Sequence, residues 1–275
     1  MAEYQDKFVT VNGLRLHYLD WGTAGKPPFV LLHGGSAYAH WWDLIAPALA
    51  EDFHVYALDQ RGHGDSQHAD PPEYASRHYL SDLRGFMQAL GLQKPILLGH
   101  SMGGHNSVIY ATEYAHDLSA LILVDTDAAY PEAAVQFLHK LGEKPAKVFD
   151  SFAEAVSRFQ LLPRETHLTG EKFRVLAAHA FRKREDGKWV SKLDRKTLFR
   201  DPVNGLPLLP RITCPTLVVR AENTPVLTPA KVQRLMDGLP DGRWVEVKDT
   251  YHHVMLDNPN GLVTVVREFL GTGNG

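Results

Sequence analysis

Cysteine is nearly absent from this 275-residue chain: the single Cys214 rules out an internal disulfide and supplies no thiolate set for a metal. It precedes Pro215 at the entrance to an apolar run and reads as a packing residue. Although 44% of the residues are hydrophobic, no apolar run reaches the roughly 20 residues that a membrane-spanning helix needs. Met1-Ala2-Glu3-Tyr4-Gln5-Asp6-Lys7 lacks the basic and then apolar layout of a secretion signal, so a cytoplasmic location is expected. Charge of one sign is scarce as well. A net charge of −3 gives no electrostatic reason to bind nucleic acid or an anionic membrane. Repeats and low-complexity tracts are missing, and nothing in the pattern fixes an oligomeric state.

What is present is an alternation of strands and helices, which implies an α/β fold with a mostly parallel central sheet flanked by helices. Phe8-Val9-Thr10-Val11 and Leu14 to Leu19, joined by Asn12-Gly13, read as a hairpin at the antiparallel edge. Short apolar strands follow at Phe29 to Leu32, His54 to Leu58, Pro95 to Leu98, Leu121 to Val124, Pro215 to Arg220 and Trp244 to Val247. Helical spacing covers Leu44 to Leu49, Tyr79 to Leu90 (stopping at Gly91) and Leu262 to Phe269. Between Asp127 and about Pro210 strands give way to helical spacing around Val135, Phe152 and Phe173. This predicts a core of residues 1–127 and 211–275 with an inserted, mainly helical cap over 128–210. Arg182 to Lys188 is a solvated mixed-charge turn with Asp186-Gly187 at its bend, and the tail 271–275 reads as frayed.

The most informative stretch is Gly99-His100-Ser101-Met102-Gly103, a G-x-S-x-G pattern between an apolar strand and a helix. Turning from strand to helix in so few residues crowds the backbone, so side chains at the flanking glycines would clash, and Ser101 is left exposed as a nucleophile. The amino end of the following helix favours negative charge developing nearby. Upstream, His33-Gly34-Gly35-Ser36 follows another strand. The amides of Gly35 and Met102 are the candidate oxyanion donors, with Ser36 the weaker choice. Far downstream, Asp249-Thr250-Tyr251-His252-His253 offers an imidazole, which is neutral near pH 7 and suited to accept a hydroxyl proton.

These segments, together with Asp59-Gln60-Arg61-Gly62-His63-Gly64-Asp65-Ser66, occur in the order of the α/β-hydrolase superfamily, which the chain resembles over nearly its whole length. The resemblance implies the serine-nucleophile branch with a helical cap. In that family the catalytic histidine stands seven residues before the proline that opens the last helix, so Pro259 points to His252 rather than His253. The acid departs from the commoner pattern. After Pro215 to Arg220 come Ala221-Glu222-Asn223-Thr224, with no aspartate; the alternative position, at the end of Leu121 to Val124, holds Asp125. Asp125 is the choice here, with Glu222 and the weaker Asn223 as competitors.

The resemblance implies a serine hydrolase, carboxylesterase-like, acting on an ester, thioester or lactone of a small, mainly apolar substrate. Cleavage of a carbon-carbon bond beside a ketone uses the same residues and is the runner-up. A third reading, a ligand receptor with little turnover, is motivated by the missing aspartate near Asn223. No cofactor is implied. Asp59, Arg61, His63 and Asp65 invite a metal, but in a glycine-broken loop they read as structural hydrogen bonding. Trp41 and Trp42, just past the oxyanion turn, suggest either an apolar pocket above Ser101 or packing of the core.

Overall fold

The computed structural model describes residues 3–22 and 24–272; the outermost tail, 273–275, and the first two residues lie outside that range. The core strands are β1 (Gln5–Val11), β2 (Leu14–Trp21), β3 (Pro28–Leu32), β4 (His54–Leu58), β5 (Ile96–His100) and β6 (Ala120–Val124). Between them lie α1 (Ala46–Leu49), α2 (Ser76–Ala89) and α3 (Met102–Tyr114). After β6 come α4 (Glu132–Glu143), β7 (Val148–Phe149), α5 (Phe152–Ser157), α6 (Gly170–Ala178), β8 (Phe181–Lys183) and β9 (Trp189–Ser191). The chain ends with β10 (Thr216–Ala221), α7 (Pro229–Gly238), β11 (Gly242–Val247), α8 (Val254–Asp257) and α9 (Pro259–Leu270).

Eight strands form one sheet in the order β1-β2-β4-β3-β5-β6-β10-β11, antiparallel only at β1-β2 and β2-β4. The β1-β2 turn uses Asn12 and Gly13, both at positive φ, as a tight hairpin of this sequence requires. Strand alternation explains the two cores. Phe29, Leu31, Leu98 and Val219 pack on one face with Leu262 and Val266 of α9. Val30, Leu32, Leu97 and Val218 pack on the other with Phe86 of α2, Val108 of α3 and Leu235 of α7. Cys214 is buried in this second core, as its packing reading expected.

Two local expectations change. The helix expected over Leu44 to Leu49 is the shorter α1, Ala46–Leu49, preceded by a 3-10 turn at Ala39–Trp42; Pro47 in its first turn lacks the N–H that would continue a helix from upstream. Strands do not disappear after β6 either: β7, β9 and β8 make a small antiparallel sheet. Local capping ends the helical pattern there. Ser151 Oγ accepts from the Glu154 amide while Glu154 Oε2 accepts from the Asp150 amide, so α5 starts at Phe152 and leaves Val148–Phe149 to pair with β9. The β8-β9 connection bends at Gly187, with φ +84°, where the sequence placed it.

Candidate active site

Ser101 caps α3 directly after β5, with φ 51° and ψ −115°, a strained conformation for a residue with a side chain. Its backbone is fixed from both ends. The amide donates to Val124 O at 3.1 Å, and the carbonyl accepts from the His105 amide at 2.9 Å and Thr126 Oγ1 at 2.7 Å. The flanking glycines are obligatory on steric grounds. A Cβ at Gly103 would stand 2.3 Å from Leu32 O, and one at Gly99 2.4 Å from Gly103 O.

The His33-Gly34-Gly35-Ser36 turn lies against this elbow. A Cβ at Gly35 would meet Met102 Cβ at 3.9 Å, and one at Gly34 would press on His100 Nδ1 at 2.8 Å. Neither the Gly35 nor the Met102 amide meets an acceptor among the described residues, so both N–H groups are available to a ligand. Ser36 beside them has φ +63° and lines the same cavity.

His252 sits between β11 and α8, on a loop tied down at several points. The Asn223 amide donates to Thr250 O at 2.9 Å, the Tyr251 amide to Asp257 Oδ2 at 2.8 Å, and His100 Nε2 to the His252 carbonyl at 2.9 Å. His252 Nδ1 donates to Asp125 Oδ2 at 2.7 Å. That carboxylate is fully buried, and it also accepts from Thr224 Oγ1 at 2.5 Å and from the Ala221 amide at 3.1 Å. Two neutral donors and one imidazole therefore surround it, with no cation competing among the described residues. Glu222 points elsewhere: it holds Lys248 Nζ at 3.1 Å and the Asp249 amide at 2.9 Å. Asn223 uses its backbone on Thr250. His253 donates through Nε2 to Pro163 O at 2.8 Å and packs edge-on against Trp41.

Ser101, Met102, Gly35 and His252 open into one cavity of about 330 Å³, within the range of small-molecule sites. No hydrogen bond joins the Ser101 hydroxyl to His252 among the described residues; such pairs commonly tighten only when substrate binds. The remaining wall is largely apolar and comes from the segment after β6, through Pro131, Phe137, Leu138, Leu162 and Leu198. Trp41 and Trp42 do not line it; both are buried in the core.

Burial keeps the surrounding imidazoles neutral. It drives His100 well below its ordinary value, with the neighbouring His252 and His253 rings disfavouring a further positive charge there, and it takes His253 and His63 each down to about 3. Ligand atoms of His100, His252 and His253 lie within 4.8 Å of one another, but one nitrogen of each ring is already committed to Asp125 or a carbonyl. The glycine-broken loop behaves structurally: Asp59 accepts from His17 Nδ1 at 2.7 Å, the Ala39 amide at 2.6 Å and the Asp65 amide at 2.8 Å, and Arg61 clasps Asp82. Arg200 of the cavity wall escaped the sequence reading, because a lone arginine in a charged stretch carries no spacing signal.

Comparison with known proteins agrees with this architecture. N-formylmaleamate deformylase of Pseudomonas putida is 26% identical over 276 residues, covering 95% of each chain. A serine hydrolase-like protein of Danio rerio is 25% identical, covering 91% of this chain and 83% of its own. The crystal structure of E-2-(acetamidomethylene)succinate hydrolase superposes with a TM-score of 0.86 at 21% identity, covering 98% of this chain and 100% of that one. No helix among the described residues is long and apolar enough to cross a membrane. With residues 27–259 matching the model of the alpha/beta hydrolase fold, the chain belongs to that family.

Proposed function

We propose that this member of a hydrolase family is a serine hydrolase cleaving an ester, thioester or lactone of a small, mainly apolar molecule. Ser101 Oγ attacks the carbonyl carbon while His252 Nε2 takes its proton, and the Asp125 carboxylate steadies the imidazolium through Nδ1. The Gly35 and Met102 amides donate to the oxyanion, each worth about 3 kcal/mol in the transition state. Collapse expels the leaving alcohol or thiol, which receives the proton from His252. Water then attacks the acyl-enzyme, gives its proton to His252, and releases the acid as that proton returns to Ser101. Residues 128–210 serve as the cap that walls the site with apolar side chains.

The observation that carries this reading is the buried Asp125–His252 pair, 2.7 Å apart, opening onto the cavity that Ser101 lines. An acid at the end of β6 also weighs against the receptor reading, whose motive was the missing aspartate near Asn223. Carbon-carbon cleavage beside a ketone stays the runner-up, since it needs the same three groups. An amide is a further candidate because the names of two similar proteins, a deformylase of an N-formyl compound and a hydrolase of an acetamido compound, denote acyl groups on nitrogen. A panel of aryl esters, aryl amides and a vinylogous diketone, assayed on the wild type and Ser101→Ala, tests the proposal. Ser101-dependent ester turnover is expected; turnover of the diketone alone would transfer the assignment to carbon-carbon cleavage.

A further inference from the structure

Two cations line the cavity, and they differ in one respect. Lys231 Nζ is occupied, donating to Val226 O at 2.6 Å and standing 3.5 Å from Asp127 Oδ2. Arg200 has no such partner: among the described residues no carboxylate oxygen comes within 4.0 Å of its guanidinium. Its one hydrogen bond goes from Nη2 to the hydroxyl of Tyr130 at 2.6 Å, and its Cζ stands 4.6 Å over the Tyr130 ring. A guanidinium presents five N–H donors, and apart from the one on Tyr130 they meet no acceptor among the described residues; the side chain borders this cavity and also a second pocket lined by Glu73 and Asp201. Tyr130 cannot serve as the counter-charge. Burial raises its pKa, and the phenol stays neutral.

The rest of the wall fits an anion held at one place. Asp127, the acidic residue lining the cavity, is held by Arg234 Nη2 at 2.9 Å and does not compete for Arg200. His63 offers the opposite chemistry: its Nδ1–H donates to Arg61 O at 3.0 Å, so Nε2 keeps a lone pair and would repel an anion. Burial, with a smaller contribution from Arg200, holds His63 and His105 below the ordinary histidine value, so neither adds a second positive charge beside it. Because only one cation is unpaired, the wall suits a monoanion with two coplanar oxygens better than a dianionic phosphate.

Resting on the serine-hydrolase reading above, we propose that Arg200 binds a carboxylate of the substrate, making the substrate class an acyl compound with a free carboxylate. The planar fork would hold it bidentately while Ser101 meets the scissile carbonyl. Such a substrate is apolar along its body and charged at one end, matching a wall of Phe137, Leu138 and Leu162 broken by one arginine.

The test compares p-nitrophenyl butyrate with p-nitrophenyl hemisuccinate, which have similar acyl length but differ by a carboxylate. The ratio of kcat/KM values, hemisuccinate over butyrate, is expected to exceed one in the wild type and to fall about 10- to 100-fold in Arg200→Gln. Arg200→Lys retains part of the preference, and Arg200→Glu lowers it beyond Arg200→Gln. A ratio that stays within about threefold of wild type in both Arg200→Gln and Arg200→Glu overturns the proposal. Calorimetry of glutaramate, a monoanion, and glutaramide binding to Ser101→Ala reads the same contact without turnover or an Arg200 variant. Glutaramate binding at least about tenfold tighter supports it, and equal binding overturns it. Failure of the serine reading looks different: neither ester is turned over, or Ser101→Ala keeps full activity.

Discussion

Replacing Asp125 with asparagine tests the acid assignment with little change in shape. The buried carboxylate accepts three hydrogen bonds, from His252 Nδ1 at 2.7 Å, Thr224 Oγ1 at 2.5 Å and the Ala221 amide at 3.1 Å. An asparagine keeps its carbonyl oxygen on the Ala221 amide and turns its NH2 toward Thr224 and His252. The Thr224 hydroxyl adapts by accepting instead of donating. His252 cannot adapt without cost, because Nδ1 must now accept and the proton moves to Nε2, the atom that should receive the Ser101 proton. A wrong-tautomer imidazole in a comparable triad lowers kcat about 10⁴-fold, equivalent to about 5.4 kcal/mol. We therefore expect Asp125→Asn to lower kcat for an aryl ester by about 10³- to 10⁴-fold, with KM changed by less than about threefold. Glu222→Gln is the control. Its acceptor to the Asp249 amide survives, and kcat should stay within about threefold. Stopped-flow release of p-nitrophenolate, with circular dichroism to verify folding, measures both. Loss of rate in Glu222→Gln alone, or a folded Asp125→Asn with near-wild-type kcat, would refute the reasoning.

Other consequences follow from the same contacts. His252→Gln should lower kcat at least about 10³-fold, whereas His253→Gln, whose ring serves Pro163 O and Trp41, should stay within about tenfold in the same assay. Gly103→Ala drives a Cβ onto the carbonyl oxygens of Leu32 and His33 and should destabilise the fold by about 3 kcal/mol or prevent it, read by urea unfolding. Stability should fall in acid. His63, His105 and His253 are held neutral down to about 3, 4 and 3, so below about pH 6 the unfolded chain binds protons that the folded chain refuses. With more protons on the unfolded state, unfolding free energy decreases as pH falls, by ~1.4 kcal/mol per pH unit for each such histidine. His17, whose folded value is raised, is protonated in both states there and adds nothing to the slope. Urea titrations between pH 6 and pH 5 should show a shallower slope for His105→Gln by one proton; an unchanged slope would contradict the assignment.

Legibility in the sequence followed the range of the interactions. The elbow at Ser101 was readable because strand, glycines and helix are contiguous and their clash is local. His252 was readable from its distance to Pro259. Asp125 could be named on the sequence but not separated from Glu222, since the contacts that favour it come from residues about a hundred positions away, at Ala221, Thr224 and His252. The small β7-β9-β8 sheet was missed because its two- and three-residue strands are too short for alternation to register. Trp41 and Trp42 divided evenly between pocket and core on the sequence, and burial decided for the core. Arg200 had no signature at all; its significance rests on which partners it lacks once the chain is folded.

The central claim is that one hydroxyl is the nucleophile. Its most direct test is mass spectrometry of the intact protein after brief exposure to a fluorophosphonate, followed by peptide mapping. The account predicts a single adduct on Ser101, formed at a rate that drops in Asp125→Asn and His252→Gln and absent from Ser101→Ala. An adduct on another residue, or ester hydrolysis by a Ser101→Ala protein at the wild-type rate, would contradict it.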